Sequence, residues 1–558
     1  MHERKHLLTV AVEDYFDATA IGGLVSERQK RRMEPRVEEN TLRALSLLAR
    51  FGQRATFFVL GRVADDHPEL IKKIDAAGHE VACKGYQHRP LRDYDEGSFA
   101  RDARASKRAV EDALGKRALG YRLSQGHLSS RQFWVLEALA EAGFVYDSSV
   151  YPRFLAPAHY RFPFEYQSRS GRLMEFPLST LAFGSLHLPM GGGNYFRQLP
   201  ALVPQLAFAH WHARYVSPYN LYFHVWELDE ALPRIATADA LRQLRQYRNV
   251  TAMAPLLEVF FSRYRFTSLA AFQRLTAPPA PSSDCQPEVT GARHRVPQLE
   301  SFSADDEGEP EAVSTTVAEP LSVIVPCFNE ADVLVYLQSA LTELRRTLRK
   351  QYEISFILVD DCSSDDTWVL MQQRFARDSA YQLVKHEKNR GVAGAILTGI
   401  AQAKTELVCS IDADCTYEPA QLERLLSLLD EDTAMVTASP YHAQGEVVGV
   451  PAWRLLLSRN LSRMYGAMLH HNFATYTACF RAYRKSKVSH IRLQNTGFLG
   501  VAEFLVRLDL EGAKLAECPA VLEARLLGSS KLKTIRTIRE HLRLLSRIPQ
   551  MRKEAKPG

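Results

Sequence analysis

Paired cysteines are missing from this 558-residue sequence: its eight cysteines, at 83, 285, 327, 362, 409, 415, 479 and 518, form no CxxC spacing. That excludes a disulfide framework and a zinc ribbon, and it reads as reduced thiols in a cytoplasmic protein. No run of about 18 apolar residues occurs, so no transmembrane helix is expected. The opening stretch MHERKHLLTVAVEDYF breaks its apolar run too early for a signal peptide. Strong charge of either sign is lacking too: 70 basic residues face 64 acidic ones, a net of +6, so no nucleic-acid partner is expected. What is present is a globular composition, 46% hydrophobic and 24% charged. The chain is long enough for roughly two to four domains.

One segment stands apart. Residues 276–319 are rich in Pro, Ser and acidic side chains with little apolar periodicity. Such a stretch cannot bury enough surface to offset its ordering entropy, and it reads as a disordered linker. It separates a unit at 1–275 from one at 320–530, with a tail at 531–558. Both units alternate apolar runs with amphipathic helical stretches, which predicts α/β architecture. In the second unit LSVIVP, ISFILVDD and LVCSIDAD are strands, each ending in polar residues. Ligand chemistry in such sheets sits at the carboxyl ends of strands.

Three motifs fall at those ends: VPCFNE with Pro326, Asn329 and Glu330, LVDDCSSDDT with Asp360 and Asp361, and SIDADCTYEP with Asp412 and Asp414. Between the last two lies NRGVAGA, from Asn389 through Gly391 and Ala393 to Gly394. A sugar nucleotide releases a diphosphate that carries extra negative charge, so its protein must supply a divalent cation or fixed positive groups. Alternate carboxylates in an Asp-x-Asp turn can reach Mg²⁺ or Mn²⁺ while waters and phosphates complete the shell. Carboxylates at the earlier strand end can accept from the N–H and O–H groups of base and ribose. The small residues Gly391, Ala393 and Gly394 would let backbone approach the nucleotide closely.

In this order the motifs resemble glycosyltransferase family 2, and within it the polyprenol-phosphate sugar transferases related to dolichyl-phosphate mannose synthase. The likeness continues through TACFRAYR with Arg481, GFLGVAEF with Glu503, and RLLGSSKL with Arg525 and Lys531. The resemblance implies a GT-A (Rossmann-like) fold, an inverting reaction, and a UDP- or GDP-sugar donor. It implies nucleotide contacts at Asp360 and Asp361, and Asp412 and Asp414 on the metal and diphosphate, with Asp414 catalytic. The family's usual Asp and Gly before and within its acceptor-side motif are Thr475 and Cys479 here, which leaves the acceptor subclass open. A phosphate acceptor needs no base and would be held by Arg481, Arg525 and Lys531. A hydroxyl acceptor needs one, and Glu503 is the candidate. In the tail, Leu532, Ile535, Ile538, Leu542, Leu545 and Ile548 follow helical spacing among Lys and Arg. Such a helix can lie on an anionic leaflet or pack on the domain with its basic face in water.

The first unit carries VAVEDYF, RATFFVLG, GHEVACKGYQHR, GYRLSQ, YDSSVYP, PMGGGNYFR and YFHVWEL. These resemble the polysaccharide deacetylase (NodB-like) family, whose fold is a distorted (β/α) barrel. Departures fall on the family's site: its first Asp is Ala11 and the first His of its H-x-x-x-H stretch is Lys84, while Asp14, His88, Arg122, Asp147 and His224 remain. A protonated lysine has three donors and no lone pair for a metal. The Lys84 ammonium is therefore expected in the metal's place, paired with Asp14, with no zinc in this unit.

The sequence thus predicts a metal-dependent inverting glycosyltransferase joined to an inactive deacetylase-like barrel. It would act on a polyprenyl phosphate or an envelope glycan precursor, in the cytoplasm or on the cytosolic face of the inner membrane. Two alternatives are a bifunctional deacetylase–glycosyltransferase, its first unit active through a rearranged site of Glu13, Asp14 and His88, and a non-catalytic scaffold of a polysaccharide assembly complex.

Overall fold

The structure, a computed structural model, describes residues 4–554 except 127, 129–131, 153–157, 184–185, 237–239, 274–317, 449–451 and 528–533. The expected linker lies outside the described residues but for its last two, and so does Lys531.

In the N-terminal unit the apolar run LLTVAV becomes β1 (Lys5–Val12), buried along all but its first residue. Strands β2 (Thr56–Val59), β3 (Glu80–Cys83), β4 (Gly120–Tyr121) and β5 (Tyr146–Asp147) follow, with helices between them. Burial on both faces suits parallel strands enclosed by helices. The sheet continues through β6 (Phe164–Ser168) and β7 (Gly171–Glu175), and β8 (Thr180–Phe183) and β9 (Leu186–Pro189) form a separate hairpin. It returns to β1 through β10 (Asn220–His224) and β11 (Arg265–Thr267), in the order β10-β1-β2-β3-β4-β5-β7-β6 with β11 also on β1. The gap between β7 and β10 is crossed by irregular chain: the Asn220 amide donates to the Phe176 and Pro177 carbonyls, and Gly192 bridges Tyr222. This is the expected distorted (β/α) barrel.

The C-terminal unit holds a seven-stranded sheet: β12 (Glu319–Cys327), β13 (Tyr352–Asp360), β14 (Tyr381–Lys385), β15 (Leu407–Ser410), β16 (Thr433–Ser439), β18 (Arg481–Arg484) and β19 (Lys514–Pro519). The order is β14-β13-β12-β15-β18-β16-β19, parallel except where β18 runs against β15 and β16. A two-stranded sheet pairs β17 (Glu446–Val448) with β20 (Val521–Glu523). The arrangement is GT-A-like. Because β12, β13 and β15 are parallel neighbours, their acidic carboxyl ends meet on one edge.

Two features differ from the picture of a pair of units on a tether. Tyr15, Phe16, Ile21, Met33, Trp226 and Ile235 of the N-terminal unit share one buried core with Val323, Leu337, Phe480 and Leu527 of the C-terminal unit. The tail forms a helix, Thr534–Glu554, whose Leu544, Leu545, Ile548 and Met551 are buried against the helix Phe498–Leu510 and its neighbours. Ile538 and Leu542 remain exposed on it. Of the described stripe side chains, Leu545 and Ile548 thus serve packing and Ile538 and Leu542 do not.

Candidate functional site

The loop after β13 is built by its own carboxylates. Asp361 accepts from the backbone N–H groups of Arg390 and Gly391, each at 2.7 Å, and its Oδ1 lies 2.7 Å from His386 Nδ1. Asn389 donates to the Asp361 carbonyl at 3.0 Å. Asp360 is wholly buried and faces the Ser363 N–H. Both buried carboxylates thus shape this loop from within. Across from them, Asn329 sits at φ +52° in the left-handed region that Asn tolerates. Its side-chain oxygen accepts from Ser364 N–H at 2.7 Å, which ties the end of β12 to the loop after β13. Pro326 occupies the penultimate position of β12.

Asp412 and Asp414 follow β15 in a turn where Cys415 takes φ +50°. Asp414 accepts from Thr416 N–H at 3.1 Å, and its other oxygen lies 3.3 Å from Arg525. Arg525 also pairs with Glu330 and donates to the Leu527 carbonyl at 2.7 Å. Burial, and then the charge of Asp414, pushes the Asp412 carboxyl up to about 7. Among the described residues, two aspartates and Glu330 gather about the Arg525 guanidinium and make a carboxylate-rich edge. Among the described residues, no three His, Cys, Asp or Glu side chains close on one point as a metal site. An ion here would take one or two carboxylates and complete its shell from diphosphate and water, which is how Mg²⁺ and Mn²⁺ are usually held. The donor set fits such an ion.

Several expected site residues have other work. Glu503 is 1% exposed and accepts from Gln494 N–H, Asn495 N–H, the Asn495 amide and Arg507, at 2.7–2.9 Å. Burial would raise its carboxyl, yet those donors hold it below the usual range. It anchors the 494–495 turn and has no spare basicity, which corrects its assignment as a base. Arg481 is completely buried and donates to the Tyr476 and Val501 carbonyls at 2.8 Å. It is a core strut, not a phosphate contact. Gly391, at φ +78°, leaves room for protein: a Cβ there would lie 2.6 Å from Thr496 O and Gly497 Cα. Gly394 N–H donates to the Thr496 carbonyl, and Ala393 packs against Gly500. The small residues admit the 494–500 segment, which refines the expectation of close approach to nucleotide. Thr475 hydrogen-bonds Ser439, and Cys479 is buried.

In the N-terminal unit the expected Lys84–Asp14 pair does not form. Lys84 pairs instead with Glu13 and donates to the Ser124 carbonyl at 3.2 Å. Asp14 turns the other way and accepts from the N–H groups of Tyr15, Arg36 and Val37. Its carboxyl is pushed up to about 7 by burial. His224 Nδ1 lies 2.7 Å and His88 Nε2 3.5 Å from Glu13, so one carboxylate faces an ammonium and two imidazoles. Burial is the main reason the His88 ring falls to about 3. Ala11 is the register partner of His224. Arg122 donates to Ser148 and Thr9 beneath the site, and Asp147 holds Ser149. The sequence offers Glu13 and Asp14 side by side, and alternation along an irregular strand end does not say which carboxylate turns inward.

Comparison with known proteins agrees with this division. Residues 322–492 match glycosyl transferase family 2, residues 33–146 match polysaccharide deacetylase, and residues 148–273 match a domain of unknown function (DUF3473). That third segment completes the first sheet by supplying β6, β7, β10 and β11. A dolichol-phosphate mannosyltransferase of Pyrococcus furiosus is 28% identical over 230 residues, 41% of this chain and 63% of the relative. The chain thus spans less than two thirds of that relative. An undecaprenyl-phosphate mannosyltransferase of Micrococcus luteus is 27% identical over 38% of this chain and 86% of its own length. A solved Mycobacterium smegmatis structure of the polysaccharide deacetylase kind is 22% identical, covers 51% of this chain and 96% of its own, and superposes with a TM-score of 0.33. The acidic strand ends thus lie within a segment that matches glycosyl transferase family 2, on a chain whose N-terminal side matches polysaccharide deacetylase and then the domain of unknown function.

Proposed function

We propose that this chain is an inverting glycosyltransferase that moves a sugar from a UDP- or GDP-sugar onto a polyprenyl phosphate or an envelope glycan precursor. The observation that carries the reading is the carboxylate edge formed by Glu330, Asp412 and Asp414 around Arg525 at adjacent strand ends. A divalent ion held by Asp412 and Asp414 would stabilise the charge that builds on the leaving diphosphate. The chain itself supplies a fixed guanidinium at the same place, which needs no reorganisation as that charge appears. Glu330 and Asp414 hold Arg525 from two sides, and Asn329 ties the two donor loops together.

With Glu503 committed to the 494–495 turn, a phosphate acceptor is favoured, since its oxygen is ionised near neutral pH and needs no base. The lipid-phosphate acceptors in the names of the Pyrococcus and Micrococcus relatives support the same choice. A peripheral membrane contact suits Ile538 and Leu542 on the tail helix and Leu456, Leu457 and Met464 on the helix Ala452–Gly466. These lie exposed on helices that also carry exposed Arg459, Arg463, Arg539 and Arg543. No described helix is long and apolar enough to cross a membrane.

The deacetylase-like domain is read as catalytically silent, because the Lys84 ammonium takes the charge of Glu13 where a metal would need a lone pair. Calorimetric titration of UDP- and GDP-sugars with Mn²⁺ tests the donor site. Wild type should bind one class and Asp414→Ala should lose most of that affinity. No binding, or binding indifferent to the substitution, refutes the assignment. Stoichiometric zinc in the purified chain would refute the silent barrel.

A further inference from the structure

The short helix Glu27–Arg32 belongs to the N-terminal domain yet lies against the transferase. Its capping box of Ser26 and Gln29 fixes its start, and a basic run follows. Arg32 is 4% exposed at its side chain and forks onto Glu418, with Nη1 and Nη2 donating at 2.8 and 2.6 Å. The same guanidinium donates through Nε and Nη2 to Glu343 at 2.9 and 2.7 Å. Glu418 closes the turn that begins at Asp412, and Glu343 stands on the helix Leu334–Leu348 that follows β12. Gln29 reaches Glu523 of β20, whose backbone N–H donates to the Thr416 carbonyl. Further along, Ile235 pairs with Leu527 and the Ala236 N–H donates to the Leu526 carbonyl, next to Arg525. The Asp412–Glu418 turn and the Arg525 strand end are thus braced from the deacetylase-like side at three points.

We propose that Arg32 is a positioning residue of the transferase: the deacetylase-like domain holds the Asp412–Asp414 turn in its cation-binding shape through the Arg32–Glu418–Glu343 cluster. This rests on reading Asp412 and Asp414 as the donor-side metal ligands. A turn with a left-handed Cys415 is held at its far end by a bidentate ion pair from a buried guanidinium, a strong and directional kind of side-chain contact. Without Arg32, the half-buried Glu343 and Glu418, on separate elements, would keep only the exposed Arg28 between them and would be less firmly joined. The N-terminal domain would then be retained for architecture, which is compatible with its altered site.

The test uses the full chain and two readouts. The first is the Mn²⁺ concentration that half-saturates UDP or GDP binding, by calorimetry. The second is amide hydrogen exchange of residues 412–418 in the metal-free protein. Arg32→Met should raise the Mn²⁺ half-saturation at least fivefold and speed exchange in that turn, with far-ultraviolet dichroism unchanged. Arg32→Lys, which can satisfy one carboxylate but cannot fork, should fall between. Unchanged half-saturation and unchanged exchange in a folded Arg32→Met overturn the proposal. Should Arg32→Met fail to fold, Glu418→Gln is measured by the same two readouts: a raised half-saturation with faster exchange supports the proposal, and no change in either overturns it. If wild type binds neither nucleotide, the donor-site reading fails, while the metal-free exchange still decides whether Arg32 holds the turn.

Discussion

Replacing Lys84 with methionine should reveal what the buried Lys84–Glu13 pair contributes. The Lys84 and Glu13 side chains are 3% and 0% exposed, so the substitution leaves a buried carboxylate without its main counter-charge. Breaking a buried pair from one side costs about 3–5 kcal/mol. In a unit of this size that lowers the melting temperature by on the order of 10 °C. The carboxylate adds a pH signature. Burial acts to raise the Glu13 carboxyl, and the charge of Lys84, ahead of His224 and His88, holds it well below its ordinary value. With the ammonium gone burial is less opposed, so the carboxyl rises in the folded state and the variant regains stability as pH falls and Glu13 takes up a proton. The deficit of Lys84→Met should accordingly be smaller at pH 5 than at pH 9. Lys84→Met/Glu13→Gln removes both charges and should recover most of the loss. Urea unfolding followed by tryptophan fluorescence suits the measurement, since Trp226 lies beside Glu13. A loss below about 1 kcal/mol, or one that neither varies with pH nor recovers in the double variant, refutes the buried-pair account.

Gly391→Ala should cost roughly 2 kcal/mol or more in urea unfolding and weaken nucleotide binding, because its backbone is left-handed and the new Cβ meets Thr496 and Gly497; a change within about 0.5 kcal/mol would contradict it. Glu503→Gln should lower stability by about 2 kcal/mol while leaving the acidic limb of the rate–pH profile in place; loss of that limb would restore Glu503 as a base. His541 is buried beside Tyr465 and depressed to about 4, mainly by burial. Its unfolded form binds the proton first, so the stability it contributes is present above about 6.5 and lost as pH falls toward 4. Wild type should lose about 2 kcal/mol more than His541→Phe between pH 7 and pH 5, and parallel stability curves would refute this.

Much of the fold was legible because its signals are local. Apolar runs ending in Asp or Asn mark parallel strands whose carboxyl ends carry the chemistry, and Asp360, Asp361, Asp412 and Asp414 meet where that rule puts them. What a motif does not encode is direction. Glu503 and Arg481 were recognisable as members of motifs, yet whether a side chain faces ligand or core depends on which elements pack around it. The same holds at β1, where Glu13 turns toward Lys84 and Asp14 toward the helix Val37–Arg50.

The sequence by itself determined the two α/β units, the acidic strand ends, and a lysine at position 84. Each of these is a matter of residue type or short-range periodicity. Only the tertiary structure decided that the units share one core and that Arg32 grips Glu418 across 386 positions of chain. The physical reason is that long-range ion pairs and shared burial arise from how elements pack, and no local pattern in the chain specifies them.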